Sequence, residues 1–118
     1  MFTHNKTSRV NKEIITELTR KWNLGAENVI ARMALGYSLE HDGQLDLKDL
    51  QDSGGKEYSR KVLLGNYEDI YLGMILSKYQ LDKNNSLIQK YVKLHLDFGL
   101  FEINKEENFL QKGIYSLF

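Results

Sequence analysis

The stretch from Asn11 to Glu40, NKEIITELTRKWNLGAENVIARMALGYSLE, limits the fold more than any other part of the chain. Val10, Ile14, Leu18 and Trp22 recur every four residues with Ile15 beside them, which is the apolar stripe of a helix. This spacing predicts a first helix over about Lys12 to Asn23. Ser8 or Asn11 can cap it, since short oxygen-bearing side chains satisfy its free N–H groups. Gly25 suits the left-handed position that ends a helix, because it has no Cβ to clash there. A second helix is expected over about Glu27 to Leu39, with Ile30, Met33, Ala34 and Tyr37 as its main stripe. Val29, Ala31, Leu35 and Gly36 extend the small or apolar character around the cylinder, as in a helix central to a core or an oligomer. Gly36 costs about 1 kcal/mol against Ala in a helix interior, so a close helix–helix approach is expected at that point.

The rest of the chain supports an all-α class. None of the 118 residues is Pro, the strongest helix breaker. The length implies one domain over residues 1–118 with a modest core. Met1 to Val10 is polar and reads either as a floppy arm or as a short edge strand. Glu40 to Gly65 breaks the helical pattern, with turn residues at Asp42-Gly43 and Asp52-Ser53-Gly54-Gly55. Leu45, Leu47 and Leu50 can tuck a short helical turn under the core, and Glu57 to Leu64, which could be extended or helical, is expected to be a loop with a short irregular element. A connection this long in a small domain usually has a function.

A third helix should start after a capping Asn66, with Glu68 and Asp69 in its positive first turn, and run to about Gln80. Its stripe is Tyr67, Ile70, Tyr71, Met74, Ile75 and Tyr79. Asp82 to Ser86 is a turn. A fourth helix, about Leu87 to Phe98, carries Ile88, Tyr91, Val92 and His95 on one face and is expected to stop at Gly99. Leu100, Phe101 and Ile103 should pack back, Asn104 to Asn108 should turn, and the greasy end Ile114 to Phe118 should dock on the core or on a partner.

Sixteen basic and sixteen acidic residues give a net charge of zero, but they are unevenly placed. Residues 1–32 hold Lys6, Arg9, Lys12, Arg20, Lys21 and Arg32 against Glu13, Glu17 and Glu27, a local +3. Residues 33–52 hold Lys48 against Glu40, Asp42, Asp46, Asp49 and Asp52, a local −4, and residues 53–61 return to +2. A neutral total argues against a general coat of nucleic-acid affinity, although folding can gather the basic segments on one face. The absence of Cys excludes disulfides, thiolate metal sites and a Cys nucleophile, and fits a reducing cytosol. No apolar run reaches the roughly 18 residues of a membrane span, and the first ten residues are too polar for a signal peptide. A cytoplasmic protein is expected.

Chemical motifs are few. His4, His41 and His95 have no metal-ligand spacing, and His95 on an apolar face reads as a satisfied core histidine. Asp42, Gln44, Asp46 and Asp49 lack the turn Gly and terminal Glu of a calcium loop, which leaves a solvated acidic turn. Ser53-Gly54-Gly55-Lys56 is not a Walker A loop, because Glu57 stands where Ser or Thr should bind magnesium. It is either a flexible turn or a single phosphate contact made by converging N–H groups and a Lys. The basic residues of the first helix and of Lys56 to Lys61 can contact a DNA backbone, although a helix alternating Lys and Glu is usually just a solvated face.

The order of these segments resembles the DndE family, small proteins of bacterial DNA phosphorothioation (DNA sulfur-modification) systems. The likeness runs from Thr7-Ser8-Arg9 through the first helix to NVIARMALGYSLE (Asn28 to Glu40), then GGKEYSRKVLLGNYEDIYLGMI (Gly54 to Ile75) and a further helix. It covers most of the chain, with Gly54 to Leu72 its most specific part. Ala26 stands where a capping Ser or Thr is often seen. The resemblance implies an all-α domain of about four main helices, with a ribbon-helix-helix-like N-terminal pair, assembled as a homotetramer. It further implies binding of double-stranded DNA, preferably nicked, through surface lysines. Its implied partners are a cysteine desulfurase, an iron–sulfur ATP-pyrophosphatase-like sulfurtransferase and an ATPase. The chain is then not itself an enzyme and carries no cofactor or metal, in keeping with its lack of a Cys for sulfur relay. The positions carried over for DNA contact are Lys12, Arg20, Lys21, Lys56, Arg60 and Lys61, with Lys6 and Arg9, while Arg32 reads as structural.

Three other functions compete with a DNA-binding subunit. A ribbon-helix-helix regulator would place Thr3, Asn5, Thr7 and Arg9 of an N-terminal strand in the major groove. A strand-nicking enzyme would need a metal or nucleophile motif that the sequence does not display. A scaffold for the sulfurtransferase and ATPase would carry its basic charge incidentally.

Overall fold

The computed structural model describes residues 2–41 and 43–116, and for residues 108–116 the helical backbone alone. The chain is mostly helical, with a small two-stranded antiparallel sheet that the all-α expectation did not include. Strand β1 (His4–Lys6) leads into helices α1 (Arg9–Lys21) and α2 (Glu27–Leu39). A 3-10 turn at Leu47–Asp49, strand β2 (Glu57–Ser59) and the short helix α3 (Arg60–Leu64) follow. Helices α4 (Glu68–Tyr79) and α5 (Ile88–Ser116) complete the order.

Helices α1 and α3 each start at a capping serine. Ser8 caps α1, its Oγ accepting the N–H of Asn11 at 3.1 Å, so the helix begins three residues before the apolar stripe suggested. Asn23, at φ 53°, is the left-handed residue just past α1, and Gly25, at φ 83°, makes a second such turn in the link. The second helix has the expected bounds although Ala26 provides no side-chain cap. Asn66 does not cap the next long helix: Gly65–Tyr67 forms a 3-10 turn, and α4 starts without a side-chain cap. Ser59 caps α3 through Val62 N–H, which makes Glu57 to Leu64 a strand and a helix where a loop was expected.

The second helix is the axis of the core. Ile30, Ala31, Ala34, Leu35, Ser38 and Leu39 are all buried, against α5 on one side and α1, α3 and α4 around the rest. This fits the sequence, since α2 was apolar around more than one side. The close approach falls elsewhere than expected. Gly36 makes only ordinary contact with the Tyr71 ring, 3.7 Å from where a Cβ would be, whereas a Cβ at Gly99 would overlap the Ala34 carbonyl. Gly99 therefore does not stop a helix; it lets α5 pass against α2, and α5 continues through Asn104 to Asn108. Leu100 is buried and Ile103 half-buried, but Phe101 is 55% exposed. The expected docking of Ile114 to Phe118 lies outside the described side chains.

The largest fully buried polar side chain, His95, is paired at both ring nitrogens, whereas the buried Thr19 hydroxyl has no partner among the described residues. His95 is fully buried, with Nδ1 2.7 Å from Ser38 Oγ and Nε2 2.6 Å from Tyr79 OH. Tyr79 OH in turn accepts Leu45 N–H at 2.9 Å. Burial above all, with the charge of Lys78 second, pushes the imidazole down to about 4, so it is neutral at pH 7. This is the satisfied core histidine that its apolar face suggested.

Candidate nucleic-acid interface

The residues singled out for DNA contact come from two segments far apart in sequence, and a short strap joins them. Gly54, Gly55 and Lys56 lie across the start of α1. Thr7 N–H donates to Lys56 O at 2.9 Å, Gly55 N–H to Thr7 O at 3.0 Å and Lys56 N–H to Thr7 Oγ1 at 2.9 Å. A Cβ at Gly55 would overlap the Ser8 carbonyl oxygen and Thr7 Oγ1, so Gly is required there by close approach. Asp52 closes the strap by accepting the N–H groups of Arg9 at 2.9 Å and Gly54 at 3.0 Å. Those two hydrogen bonds hold its carboxyl below the usual range. The strap is thus a fixed, hydrogen-bonded segment. All three of its N–H groups are used internally, so the Lys56 side chain is what it can offer an anion.

Strand β1 pairs with β2 within the chain, with His4 opposite Ser59, Asn5 opposite Tyr58 and Lys6 opposite Glu57. Asn5 and Thr7 are buried beneath this ribbon, and Asn5 Nδ2 donates to Gln89 O at 3.0 Å. Two of the four side chains that a groove-reading strand would present are therefore inside the protein.

Helical spacing sets Arg9, Lys12, Thr16 and Arg20 along one side of α1, all exposed. The strap meets this line at its Arg9 end, where a Cβ at Gly54 would lie 3.5 Å from the Arg9 Cβ. Lys56 also lines a groove with Asn28, Ser59, Val62 and the two acids Glu27 and Glu57, beside the first turn of α2. Arg9, Lys12 and Lys56 are thereby grouped around the two helix starts, and Arg20 lies two turns along, about 12 Å from Lys12 by helical rise. Lys21 turns away and pairs with Glu17 at 3.2 Å. Lys6 is exposed on β1 and Lys61 on α3, outside the groove that Lys56 lines. Arg60 is half-buried, forms an ion pair with Glu68 and donates Nη1 to Phe2 O at 3.1 Å. Arg32 donates to the Leu63 and Val62 carbonyls and fills the space beside Gly65, which is the structural role its position suggested.

The residues that hold this surface together escaped sequence reading. Lys93 and Asp97, both buried, pair at 2.9 Å on α5. Lys93 Nζ also donates to Lys6 O at 2.6 Å and Asp52 O at 2.8 Å, which uses all three of its protons. Asp97 Oδ1 accepts Ser8 N–H at 3.0 Å and Asn11 Nδ2 at 2.7 Å. The one available signal was the i, i+4 Lys–Asp spacing, which on a helix usually marks a solvated pair. Among the described residues no group of His, Asp and Glu is placed to hold a metal ion, and no helix is long and apolar enough to cross a membrane.

These features define a small helical domain closed by an intrachain ribbon, with a cationic edge built on two helix starts and a strap. The chain belongs to the DndE family: the model of the DNA sulphur modification protein DndE matches residues 4–111. Among solved structures it is similar to DndE from Escherichia coli B7A, a protein involved in DNA phosphorothioation modification. The two share 15% identity and a TM-score of 0.69, over 87% of this chain and 98% of that one. A glycine-to-lysine mutant of DndE, also involved in DNA phosphorothioation, gives 17% identity and a TM-score of 0.70, over 86% and 97%. At such identities the likeness is one of fold. No curated protein matches the chain.

Proposed function

We propose that the protein is a non-enzymatic, cytoplasmic DNA-binding subunit of a DNA phosphorothioation system. It holds double-stranded DNA, preferentially nicked, against the cationic edge of a homotetramer. The observation that carries this reading is the strap, which brings Lys56 to the start of α1 beside Arg9 and Lys12. Family membership and the described role of the similar solved structures point the same way. Each protomer offers a few phosphate contacts, so repetition across an oligomer multiplies them. Exposed Val62, Tyr67 and Ile70, running from α3 into α4, are apolar material for contacts between copies or with the cysteine desulfurase, sulfurtransferase and ATPase partners. A nick makes duplex DNA easier to bend, so a preference for nicks follows from deformability without base reading.

Gel shifts with nicked and intact duplexes of several sequences test this. Affinity should drop steeply from about 50 mM to about 300 mM salt and barely change with sequence. Equal binding at the two salt concentrations would overturn the electrostatic account, and a strong preference for one sequence would favour a regulator. Supercoiled plasmid incubated with magnesium or manganese should remain uncut.

A further inference from the structure

A second cavity, which shares only Glu57 with the strap groove, lies between β1, residues 50–53 and the first turns of α5. Its volume is about 370 Å³, and its lining includes Lys6, Lys90, Lys93, Glu57, Leu50 and Gln51. Its floor is held by Lys93, whose ammonium is saturated by the Lys6 and Asp52 carbonyls and by Asp97. That charge is balanced by Asp97, so the cations left for a ligand are those of Lys6 and Lys90, both on exposed positions. They come from the strand and from the helix, on two walls that the floor pins together. Asn5 and Gln89 brace the same walls, through Asn5 Nδ2 to Gln89 O at 3.0 Å and Gln89 Nε2 to His4 O at 2.7 Å.

We propose that this cavity binds a terminal nucleotide through its phosphomonoester, with Lys6 and Lys90 taking the phosphate. The charge argues for a monoester. At neutral pH a phosphomonoester carries about −1.5 to −2, which suits two ammonium groups, whereas a diester within a strand carries about −1. The volume falls within the roughly 300–1,000 Å³ of small-molecule sites, more than a bare phosphate needs. Leu50 and the aliphatic stems of the lining Lys and Gln side chains supply apolar surface for the sugar and base. Glu57, opposite Lys6 in the ribbon, opposes an anion and limits affinity. The phosphate can belong to a free mononucleotide or to a strand end. Only the second source rests on the DNA-binding reading.

The test uses the full chain and three duplexes of one sequence, nicked at one position, with a 5′-phosphate, a 3′-phosphate or only hydroxyls at the nick. AMP is titrated separately by calorimetry. Wild type should prefer one phosphorylated nick over the hydroxyl form by about tenfold, the scale of a charge-assisted contact, or should bind AMP. Lys90→Gln should remove most of that preference or of AMP binding while leaving intact-duplex binding within about twofold, and Glu57→Gln should strengthen either. A phosphate preference without AMP binding assigns the site to strand ends, and AMP binding alone assigns it to free nucleotides. Salt-sensitive duplex binding with neither effect overturns the cavity site and leaves the proposed function standing. AMP binding without any duplex binding does the reverse. A preference that survives undiminished in Lys90→Gln also overturns the assignment, and unchanged circular dichroism of the variant shows that it has folded.

Discussion

Acidification should destabilise the protein through His95, by an amount that the imidazole's surroundings set. The folded pKa is about 4, against 6.5 for a free imidazole. Above pH 6.5 both folded and unfolded chains carry it neutral, and stability is unaffected. As the pH falls below 6.5 the unfolded chain takes up a proton that the folded core refuses, so stability declines until the folded imidazole protonates near pH 4. At 1.36 kcal/mol per pH unit the total loss is about 3 kcal/mol, about half of it by pH 5.3. Domains of this size have about 5–15 kcal/mol in hand, so the effect is large. The assay is urea unfolding at pH 7.5, 6.5, 5.5 and 4.5, approximate settings chosen to bracket the transition, followed by Trp22 fluorescence and circular dichroism. His95→Gln, which hydrogen-bonds but does not titrate, should start less stable and lose about 3 kcal/mol less than wild type over that range. Parallel pH dependence in the two proteins would show that another group titrates and that the buried imidazole does not set the acid limit.

Gly99→Ala should lower stability by about 1–3 kcal/mol in denaturant unfolding, because the added methyl overlaps the Ala34 carbonyl. Gly73→Ala on α4, where a Cβ meets nothing within 4 Å, should instead raise it by up to about 1 kcal/mol. Asp97→Ala should cost about 3–5 kcal/mol in the same assay, since it leaves the Lys93 ammonium buried without its counter-charge. Lys12→Glu combined with Lys56→Glu should weaken duplex binding at least about tenfold at low salt with an unchanged melting temperature. Arg60→Gln should lower the melting temperature more than the affinity, because Arg60 is already engaged by Glu68 and Phe2.

Helix periodicity made much of this fold legible. The bounds of α2 and its central place follow from an apolar surface that wraps most of the cylinder, which only a surrounded helix tolerates. The start of α1 follows from Ser8. Glycine was harder to read, because one residue type serves opposite purposes. Gly99 sits where a helix end and a helix crossing look alike in one sequence, and only the position of Ala34, 65 residues earlier, decides between them. The ribbon was legible only in part, since a short edge strand was one reading of Met1 to Val10 but its pairing with Glu57–Ser59 was not. Each strand is three residues long, too short for alternation to register, and the pairing spans more than fifty residues. Of the candidate cations, exposure and charge were legible but engagement was not. Arg60 and Lys61 are neighbours with the same apparent promise, yet the first is tied to Glu68 while the second stands in solvent.

The buried pair on α5 gives the cationic edge its shape. A buried Lys–Asp pair rarely adds net stability over apolar residues of similar size, because desolvation offsets most of the attraction. What it does provide is position. Lys93 grips the carbonyls of Lys6 on the ribbon and Asp52 at the root of the strap, and Asp97 grips the N–H of Ser8 and the amide of Asn11 at the head of α1. The N-terminal strand with the helix start it runs into, and a strap about forty residues further along the chain, are thus fixed to two residues one turn apart on a rigid helix. Each of them carries a candidate phosphate contact: Lys6 on the ribbon, Lys56 on the strap, and Arg9 and Lys12 on α1. A flexible array of the same charges would lose side-chain and loop entropy on meeting DNA, whereas one pinned from beneath has lost the backbone part of it already on folding. The hidden ion pair and the exposed cations are therefore parts of one device, and the acid of the pair serves a basic surface.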